Sequence, residues 1–375
     1  MRRKGEYKSW TNPARMSANI HSTPKLMLQS NFVNPTLTKL SVYPAIGYPV
    51  ADSGMWRVTV SGFAWHPPGE LNRRQRMMIG MLRNVMGVTQ EQLQTPTFES
   101  RINQFMATAC SKLALAIKIN GQLFSIRKST RRNGSFSDVV SVPKTLLSSK
   151  AVDAGNVDAA DFSLVSESGD HVFTSGKILL YPRRGLSIVS DIDDTIKDSQ
   201  VGDRKELLAN TFLREFRSIE GMADLYSDWA GQGAAFHYVS SSPWQLLEAL
   251  TAFNNEGGFP DGSMHLRNFR LRDQLLRKLV LRRNGKVIAI RKLLQALPDR
   301  EFVLIGDSGE KDPKIYRKIC KQFPGRVKAV FIRNLDHRKF EPENLAKLAR
   351  SIPLGICGSY QDSGGLRESA APLFL

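Results

Sequence analysis

The sequence predicts an α/β half that follows a mainly β half. From about residue 185 onward, short apolar strand-like segments alternate with helical ones, which is typical of a parallel sheet. Between about 37 and 180, apolar and polar residues alternate in short segments bounded by turn residues, which is typical of antiparallel strands. We therefore expect a flexible basic tail (1–36), a mainly β accessory domain (37–182), an α/β domain (183–358) and a flexible C-terminal tail (359–375).

The accessory domain has several strand signals. Trp56–Trp65 alternates like a half-buried strand, and Asn120-Gly121 separates two apolar segments, which indicates a two-residue hairpin. Further short strands are predicted around 138–142, 162–165 and 177–180. We expect an antiparallel sandwich or barrel.

A helical insertion from Glu70 to about Ala107 interrupts these strands. It combines four methionines with four arginines between Arg73 and Met86. Such a helix can lie on a membrane surface or bind a partner, but packing against its own domain is the commonest reason for an amphipathic pattern.

Composition restricts the partners. The net charge is +18 and the pI is about 9.9, so the protein attracts polyanions such as anionic membranes or phosphorylated substrates. Residues 267–292 contain ten Lys or Arg and one acid, which fits either an anionic lipid leaflet or a solvated basic face. The three cysteines are widely spaced, no transmembrane segment is apparent and the N-terminus lacks a secretory signal. We expect a cytoplasmic protein whose membrane contact, if any, is peripheral.

The strand-like segment that begins at Leu186 ends in an acidic cluster. Asp191, Asp193 and Asp194 are followed by Thr195, and three acids within four residues repel one another unless a cation is present. The carboxyl ends of parallel strands form the ligand-binding edge of such sheets. The cluster therefore indicates a hard metal ion, most plausibly Mg²⁺.

Two later strand-like segments end in similar chemistry. One ends in Ser240, Ser241 and Ser242, and the other in Asp307 with Asp312 five residues later; Lys286 lies between them. A carboxylate pair, hydroxyls, a lysine and a second acidic loop are the parts needed for phosphoryl transfer through an aspartyl-phosphate.

These motifs, in this order, resemble those of the haloacid dehalogenase superfamily of phosphatases. The residues within the motifs resemble one branch more closely, the actin-patch-associated phosphatidate phosphatase family and its bacterial relatives. The resemblance covers about residues 185–335. The matching segments are residues 190–197, 221–226, 238–246, 259–262, 266–267 and 304–312. It implies a haloacid-dehalogenase-like, Rossmann-like parallel sheet domain.

The resemblance also implies roles for individual residues. Asp191 would be the nucleophile and a metal ligand, and Asp193 would protonate the leaving oxygen, activate water and bind metal through its carbonyl. Ser240 would grip the phosphoryl group and Lys286 would neutralise its charge, although the relatives usually carry a His before this lysine and Gly285 stands here. The remaining implied roles are Mg²⁺ ligation by Asp307 and Asp312 and substrate binding by Thr195, Lys197, Ser241, Ser242 and Arg267.

The resemblance thus implies a Mg²⁺-dependent phosphatidate phosphatase acting on an anionic phospholipid at a membrane surface. Two alternatives stay open. The chain could hydrolyse a soluble or protein-borne phosphomonoester, since fold and motif determine the chemistry but not the phosphate carrier. It could also be a basic module that binds anionic lipid or nucleic acid on an inactive phosphatase scaffold. We do not expect nucleic acid as its partner, and the sequence does not identify a protein partner.

Overall fold

The computed structural model describes residues 38–268, 285–335, 340–352 and 354–374. The predicted basic tail, residues 1–36, lies outside these residues. The described helices are α1 (Arg73–Met86), α2 (Pro96–Met106), α3 (Lys150–Asp153), α4 (Arg204–Phe212), α5 (Met222–Gly231), α6 (Leu247–Glu256), α7 (Gly285–Ala296), α8 (Asp312–Gln322), α9 (Pro342–Ala349) and α10 (Ser363–Ala370).

The first sheet occupies the mainly β half. Its path runs β1-β3-β2-β9-β8-β5-β6, and β4 and β7 pair with the long strand β3. The strands are β1 (Lys39–Val42), β2 (Ala45–Pro49), β3 (Met55–His66), β4 (Thr108–Ala109), β5 (Leu115–Ile119), β6 (Gln122–Ser125), β7 (Ser135–Pro143), β8 (Asp158–Ser166) and β9 (Val172–Leu180).

The pairing in the first sheet confirms one prediction and corrects another. Asn120 and Gly121 both have positive φ and join β5 to β6 as a two-residue hairpin, as predicted. However, β2 pairs with β9 in parallel, so the sheet is mixed and not wholly antiparallel. The sequence between these strands is long and contains several other strands, so local turn signals could not reveal this pairing.

The insertion consists of two helices, α1 and α2, of which the first has clear signals at both ends. Asn72 and Gln75 form a capping box at the start of α1, and Gly87 ends that helix in the left-handed conformation. The side chains of Met78, Leu82 and Met86 are buried in the main core. The insertion therefore packs against its own protein, whereas Met77 and Met81 remain exposed.

The second sheet has six parallel strands in the order β12-β11-β10-β13-β14-β15 among the described residues. Counted from its first strand in the chain, this is the 3-2-1-4-5-6 order of doubly wound α/β folds. The strands are β10 (Leu186–Ser190), β11 (Ala235–Pro243), β12 (Gly262–Arg267), β13 (Glu301–Asp307), β14 (Val327–Arg333) and β15 (Ile356–Tyr360).

Helices cover both faces of the parallel sheet. Residues of α4, α5, α6 and α10 share one core with the insertion helices, and residues of α7, α8 and α9 share the other. Ile46, Tyr48 and Leu179 of the first sheet are buried in the second core. The two sheets therefore share hydrophobic cores, and both belong to one compact unit.

A buried arginine holds the connection between the sheets. The guanidinium of Arg300 donates to the carbonyl oxygens of Pro182, Arg184 and Leu186, and its Nε donates to the hydroxyl of Ser187 at 2.8 Å. These bonds satisfy the backbone between β9 and β10. They therefore fix where β10 enters the parallel sheet.

The expectation of a flexible C-terminal tail is wrong. Residues 356–360 form an edge strand, and α10 then packs with Leu366 and Ala370 fully buried. The ring of Phe374 stacks on Trp229 with centroids 5.0 Å apart. The Gly- and Ser-rich composition suggested a loop, but Asp362 caps the helix and its apolar positions face the core.

Candidate active site

The switch point of the parallel sheet lies between β10 and β13, whose connections leave in opposite directions. Asp191 follows β10, Asp307 ends β13, and the backbone N–H of Asp191 donates to the carbonyl of Ile305 at 2.8 Å. Ser240 comes from β11 on the other side of β10. The sheet thus brings three predicted motifs to one carboxyl edge, where ligands bind in such folds.

Four buried carboxyl groups meet at this edge. Asp191, Asp307, Glu310 and Asp312 each offer an oxygen, and these oxygens all lie within 4.8 Å of one another. The ammonium of Lys286 lies 2.7 Å from Asp191 Oδ1, 2.8 Å from Glu310 Oε2 and 2.8 Å from Asp312 Oδ1. We call these five residues the carboxylate cluster.

Negative charge exceeds positive charge in the carboxylate cluster. Burial raises the pKa of Asp191 well above its usual value, Lys286 lowers it, and Asp312, Glu310 and Asp307 raise it further. Burial and Asp312 likewise raise the pKa of Asp307 to about 7. Burial alone would lower the pKa of Lys286, but the carboxylates keep it well above its usual value. One lysine therefore does not balance the cluster.

The donor set fits a hard cation. Asp191 Oδ2 and Asp307 Oδ2 are buried and have no hydrogen-bond partner among the described residues. Buried carboxylate oxygens are normally paired, and Mg²⁺ prefers oxygen ligands of this kind. Asp191, Asp307, Glu310 and Asp312 could hold such an ion.

Gly306 allows this loop to close around the site. A Cβ at this position would lie 2.4 Å from Asp312 Oδ2 and 2.6 Å from the hydroxyl of Tyr316. That hydroxyl donates to the carbonyl of Ile305 at 2.8 Å, and Asp307 Oδ1 accepts from the backbone N–H of Glu310 at 2.7 Å. The glycine therefore permits the close approach that places Asp312 beside Lys286.

Asp193 lies in a different network, although only Ile192 separates it from Asp191. Its Oδ1 accepts from the hydroxyl of Ser199 at 2.7 Å and lies 3.0 Å from Lys197 Nζ. Its Oδ2 accepts from the hydroxyls of Ser240 and Ser242, both at 2.8 Å. We call Asp193 and these four partners the hydroxyl network, in which both carboxylate oxygens are fully satisfied.

This network holds Asp193 in its ionised form. Burial alone would raise its pKa, but the charge of Lys197 and the hydrogen bonds from Lys197, Ser199 and Ser240 lower it below the usual range. The side chain of Asp193 therefore does not point into the carboxylate cluster. A ligand role for Asp193 would have to use its backbone carbonyl, as predicted.

Asp194 shapes the loop instead of binding a ligand. It has a positive φ of 56°, and its carboxylate accepts from the backbone N–H groups of Ser199, Gln200 and Val201 at 2.7–2.8 Å. Its own carbonyl accepts from Arg333 at 2.9 Å. These bonds fold residues 194–201 back over the site and carry Ser199 and Lys197 to Asp193.

The other predicted substrate-binding residues lie close to these groups. Ser241 Oγ donates to Glu310 Oε2 at 3.3 Å, and Thr195 Oγ1 is buried with no partner among the described residues. Arg267 ends β12 and lines a cleft of ≈ 1030 Å³ that also contacts Ser240 and Lys286. The structure thus brings all predicted site residues to one region.

Sequence reasoning missed two participants, Glu310 and Ser199. Neither residue is among the predicted site residues, yet Glu310 contacts Lys286 and Ser199 donates to Asp193. The three acids of the loop 307–312 were the available signal for Glu310. No local pattern marks Ser199, because the bonds of Asp194 decide its position.

The predicted basic surface is only partly described. Residues 269–284 lie outside the described part of the chain, and they include six of the ten basic residues counted there. Lys286, another of the ten, is buried among carboxylates and belongs to no surface. In the described part of the chain no helix is long and apolar enough to cross a membrane.

Comparison with known proteins finds matches to the second half of the chain. Residues 186–334 match the family described as "Phosphatidate phosphatase APP1, catalytic domain". An uncharacterized protein of Schizosaccharomyces pombe is 35% identical over 180 residues, which are 46% of this chain and 29% of that protein. Phosphatidate phosphatase APP1 of Saccharomyces cerevisiae is 33% identical over 153 residues, which are 40% of this chain and 26% of that protein.

The chain therefore spans less than a third of the length of these curated relatives. Among solved structures, a mutant of the PilB minor pilin from Streptococcus sanguinis aligns with 71% of this chain and 87% of its own. The TM-score is 0.29 at 10% identity, so this likeness supports no statement about fold or function. The sequence matches, in contrast, coincide with the β10–β14 region that carries the site, so residues 186–334 are similar to the phosphatidate phosphatase APP1 catalytic-domain family.

Proposed function

We propose that this protein is a Mg²⁺-dependent phosphatidate phosphatase that releases phosphate and diacylglycerol through an aspartyl-phosphate. One observation carries the proposal. The carboxylate of Asp191 is buried at the switch point and pairs with Lys286 through one oxygen, and its other oxygen has no hydrogen-bond partner in the ranges that the structure describes. A carboxylate in this state is available to attack phosphorus.

In the first step, an oxygen of Asp191 forms a bond to phosphorus while the bond from phosphorus to the glycerol oxygen breaks. Lys286 pairs with the other oxygen of the same carboxylate and offsets the negative charge that accumulates around phosphorus. The hydroxyls of Ser240 and Ser242 donate to Asp193 in the structure, and they would donate to phosphoryl oxygens when these replace Asp193 as acceptor. The departing oxygen takes a proton from Asp193.

Asp193 must be protonated for that transfer, although Lys197 keeps it ionised without substrate. A phosphomonoester beside Asp193 brings negative charge and draws Lys197 and the serine hydroxyls toward itself. Both changes raise the pKa of Asp193. In the second step Asp193 takes a proton from water, the water oxygen bonds to phosphorus, and the bond from phosphorus to Asp191 breaks.

Asp191, Asp307 and Asp312, with Glu310 beside them, would hold Mg²⁺. The bound ion would offset the charge of the carboxylates and of the phosphoryl oxygens. A lipid substrate is supported by the family of residues 186–334 and by the net charge of +18, which attracts anionic surfaces.

The test is phosphate release from phosphatidate in mixed micelles, with and without Mg²⁺, beside a panel of soluble phosphomonoesters. Asp191→Asn keeps the shape of the side chain but removes the nucleophilic carboxylate, so we expect turnover to fall at least about 10³-fold. Asp224→Asn, an exposed acid on α5, is the matched control and should retain full activity.

The outcomes separate the alternatives. Turnover that needs Mg²⁺ and Asp191 on phosphatidate supports the proposal. Turnover of soluble esters alone supports the phosphatase mechanism and rejects a lipid as the substrate. If the folded protein binds Mg²⁺ but turns over none of these substrates, the proposed enzymatic activity is rejected in favour of a binding module.

A further inference from the structure

We propose that the cleft between the first sheet and α7 binds the glycerol-ester and acyl part of a lipid phosphomonoester, with the hydroxyl of Tyr43 donating to an ester carbonyl. This inference rests on the proposed function and specifies its substrate class. It assigns to the accessory half of the chain a direct part in substrate recognition.

The cleft begins at the catalytic residues. Ser240, Ser241 and Lys286 line one part of its ≈ 1030 Å³ volume, so a ligand whose phosphate meets Asp191 has the rest of its body in this space. Sites for drug-sized ligands are typically about 300–1,000 Å³. The cleft is therefore much larger than a phosphate group with a small polar substituent requires.

Both walls of the cleft carry apolar side chains. The first sheet contributes Ile46 and Phe136, and the α/β half contributes Met264 of β12 and Leu293 of α7. Ile288 of α7 also lines the cleft and is 44% exposed, so it is not covered by the protein's own core. A hydrocarbon chain buried here would remove apolar surface from water on both sides.

Tyr43 supplies a buried hydroxyl beside the apolar side chains of this cleft. It lines the cleft with 8% of its surface exposed, and its hydroxyl is buried without a partner among the described residues. Burial raises the pKa of this phenol well above its usual value, so the group stays neutral and can donate. A buried hydroxyl without a partner is costly, and a ligand acceptor would remove that cost.

Aromatic packing fixes Tyr43 relative to the catalytic edge. Its ring meets Phe63 edge-on with centroids 6.4 Å apart, and Phe63 stacks on Trp244 at 4.3 Å and 7°. Trp244 follows the three serines at the end of β11. The donor is therefore held at a fixed place relative to Ser240, as recognition of an ester beside the phosphate requires.

The experiment measures binding to the full chain carrying Asp191→Asn, which does not depend on turnover. The probes are glycerol 3-phosphate and diacyl phosphatidates with short acyl chains of increasing length below their micelle concentrations, each beside its dialkyl ether analogue. Affinity should rise by up to about fourfold per buried methylene. Diesters should bind about 2- to 10-fold more tightly than diethers, because only they carry the carbonyl acceptor.

Two variants in this background locate the effect. Tyr43→Phe keeps the ring packing, so it should abolish the preference for diester over diether without changing diether binding. Ile288→Ser should reduce the gain per methylene. Val172→Ser, a matched control for an exposed apolar residue that does not line the cleft, should reproduce the parent values.

The inference is overturned if affinity is independent of chain length, or if Tyr43→Phe leaves the diester preference unchanged. These results are distinct from failure of the proposed function, which is read from phosphate release by the unsubstituted protein. If the protein hydrolyses phosphatidate yet binds all chain lengths equally, the proposed function stands and the proposed role of the cleft is rejected.

Discussion

Asp191 and Asp193 differ by two positions in the sequence, yet their surroundings are opposite. Asp191 shares Lys286 with Glu310 and Asp312, and within the described part of the chain one of its oxygens has no hydrogen-bond partner. Asp193 forms an ion pair with Lys197, which pairs with no second carboxylate among the described residues, and it accepts from three hydroxyls as well. The pKa is raised for the first carboxyl group and lowered for the second.

In the proposed mechanism, this difference would let one loop supply two roles. The carboxylate cluster has four carboxyl groups and one lysine, so an added cation would stabilise its carboxylates. In the proposed mechanism, one oxygen of Asp191 is then available to attack phosphorus. A carboxylate in the hydroxyl network is already satisfied, so a proton reaches it only when substrate takes its donors. Acid and base roles are commonly assigned by such opposed environments.

The largest expected effect comes from replacing the lysine of each network in turn. Lys286→Met leaves three buried carboxylates without their cation, and we expect the free energy of unfolding without Mg²⁺ to fall by about 3–5 kcal/mol. Lys197→Met should cost clearly less, because Asp193 keeps its hydroxyl donors. Urea unfolding of both variants in chelator measures the difference. A larger cost for Lys197→Met would contradict the comparison.

The next test adds the cation. Mg²⁺ at a hundred times its dissociation constant should raise the free energy of unfolding of the unsubstituted protein by about 2.7 kcal/mol. Asp307→Asn removes one buried ligand oxygen and should lose most of this gain, whereas Asp224→Asn should keep it. Thermal or urea unfolding across a Mg²⁺ titration measures it. Equal stabilisation of Asp307→Asn would exclude the carboxylate cluster as the metal site.

A smaller effect concerns pH. Lys197 lowers the pKa of Asp193, so Lys197→Met should raise that pKa. Since Asp193 must be ionised to take a proton from water, activity present above its pKa is lost as pH falls through it. The acidic limb of the kcat profile should therefore move to higher pH in the variant. An unmoved limb would show that the limb belongs to another group.

The smallest effect tests whether the insertion supports the hydroxyl network. Arg101 of α2 donates to the carbonyls of Thr211 and Arg214 at 3.0 and 2.6 Å and lies 4.0 Å from the ring centroid of Phe216. Lys197 Nζ lies 4.7 Å from the centroid of the same ring. Arg101 is therefore a positioning residue that acts through Phe216.

Arg101→Met should lower the free energy of unfolding by about 1–3 kcal/mol, since charged hydrogen bonds are lost. It should also lower kcat about 3- to 10-fold on a soluble phosphomonoester, with little change in KM, because a shift of the lysine misplaces Asp193. The matched control is Arg74→Met, an exposed arginine of α1. A stability loss without any change in kcat or its acidic limb would make Arg101 merely structural.

The parts of the site that the sequence predicted are those at strand ends. Asp191, Ser240 and Asp307 each follow an apolar segment, and parallel pairing alone brings such ends together. Glu310 and Ser199 escaped prediction because their roles depend on loop closure, through Gly306 in one case and Asp194 in the other. The parallel pairing of β2 with β9 escaped it because contacts distant in the chain decide it.

The sequence by itself determined which side-chain types the candidate site contains and the α/β character of the second half, because side-chain type and hydrophobic period are local properties. Tertiary structure alone decided that Asp191 and Asp193 face opposite charges, that the last residues pack as a helix, and that Tyr43 of the first sheet lines the cleft beside Ser240. The physical reason is the same in each case. Burial and electrostatic interaction depend on groups that are distant in the chain and close in space.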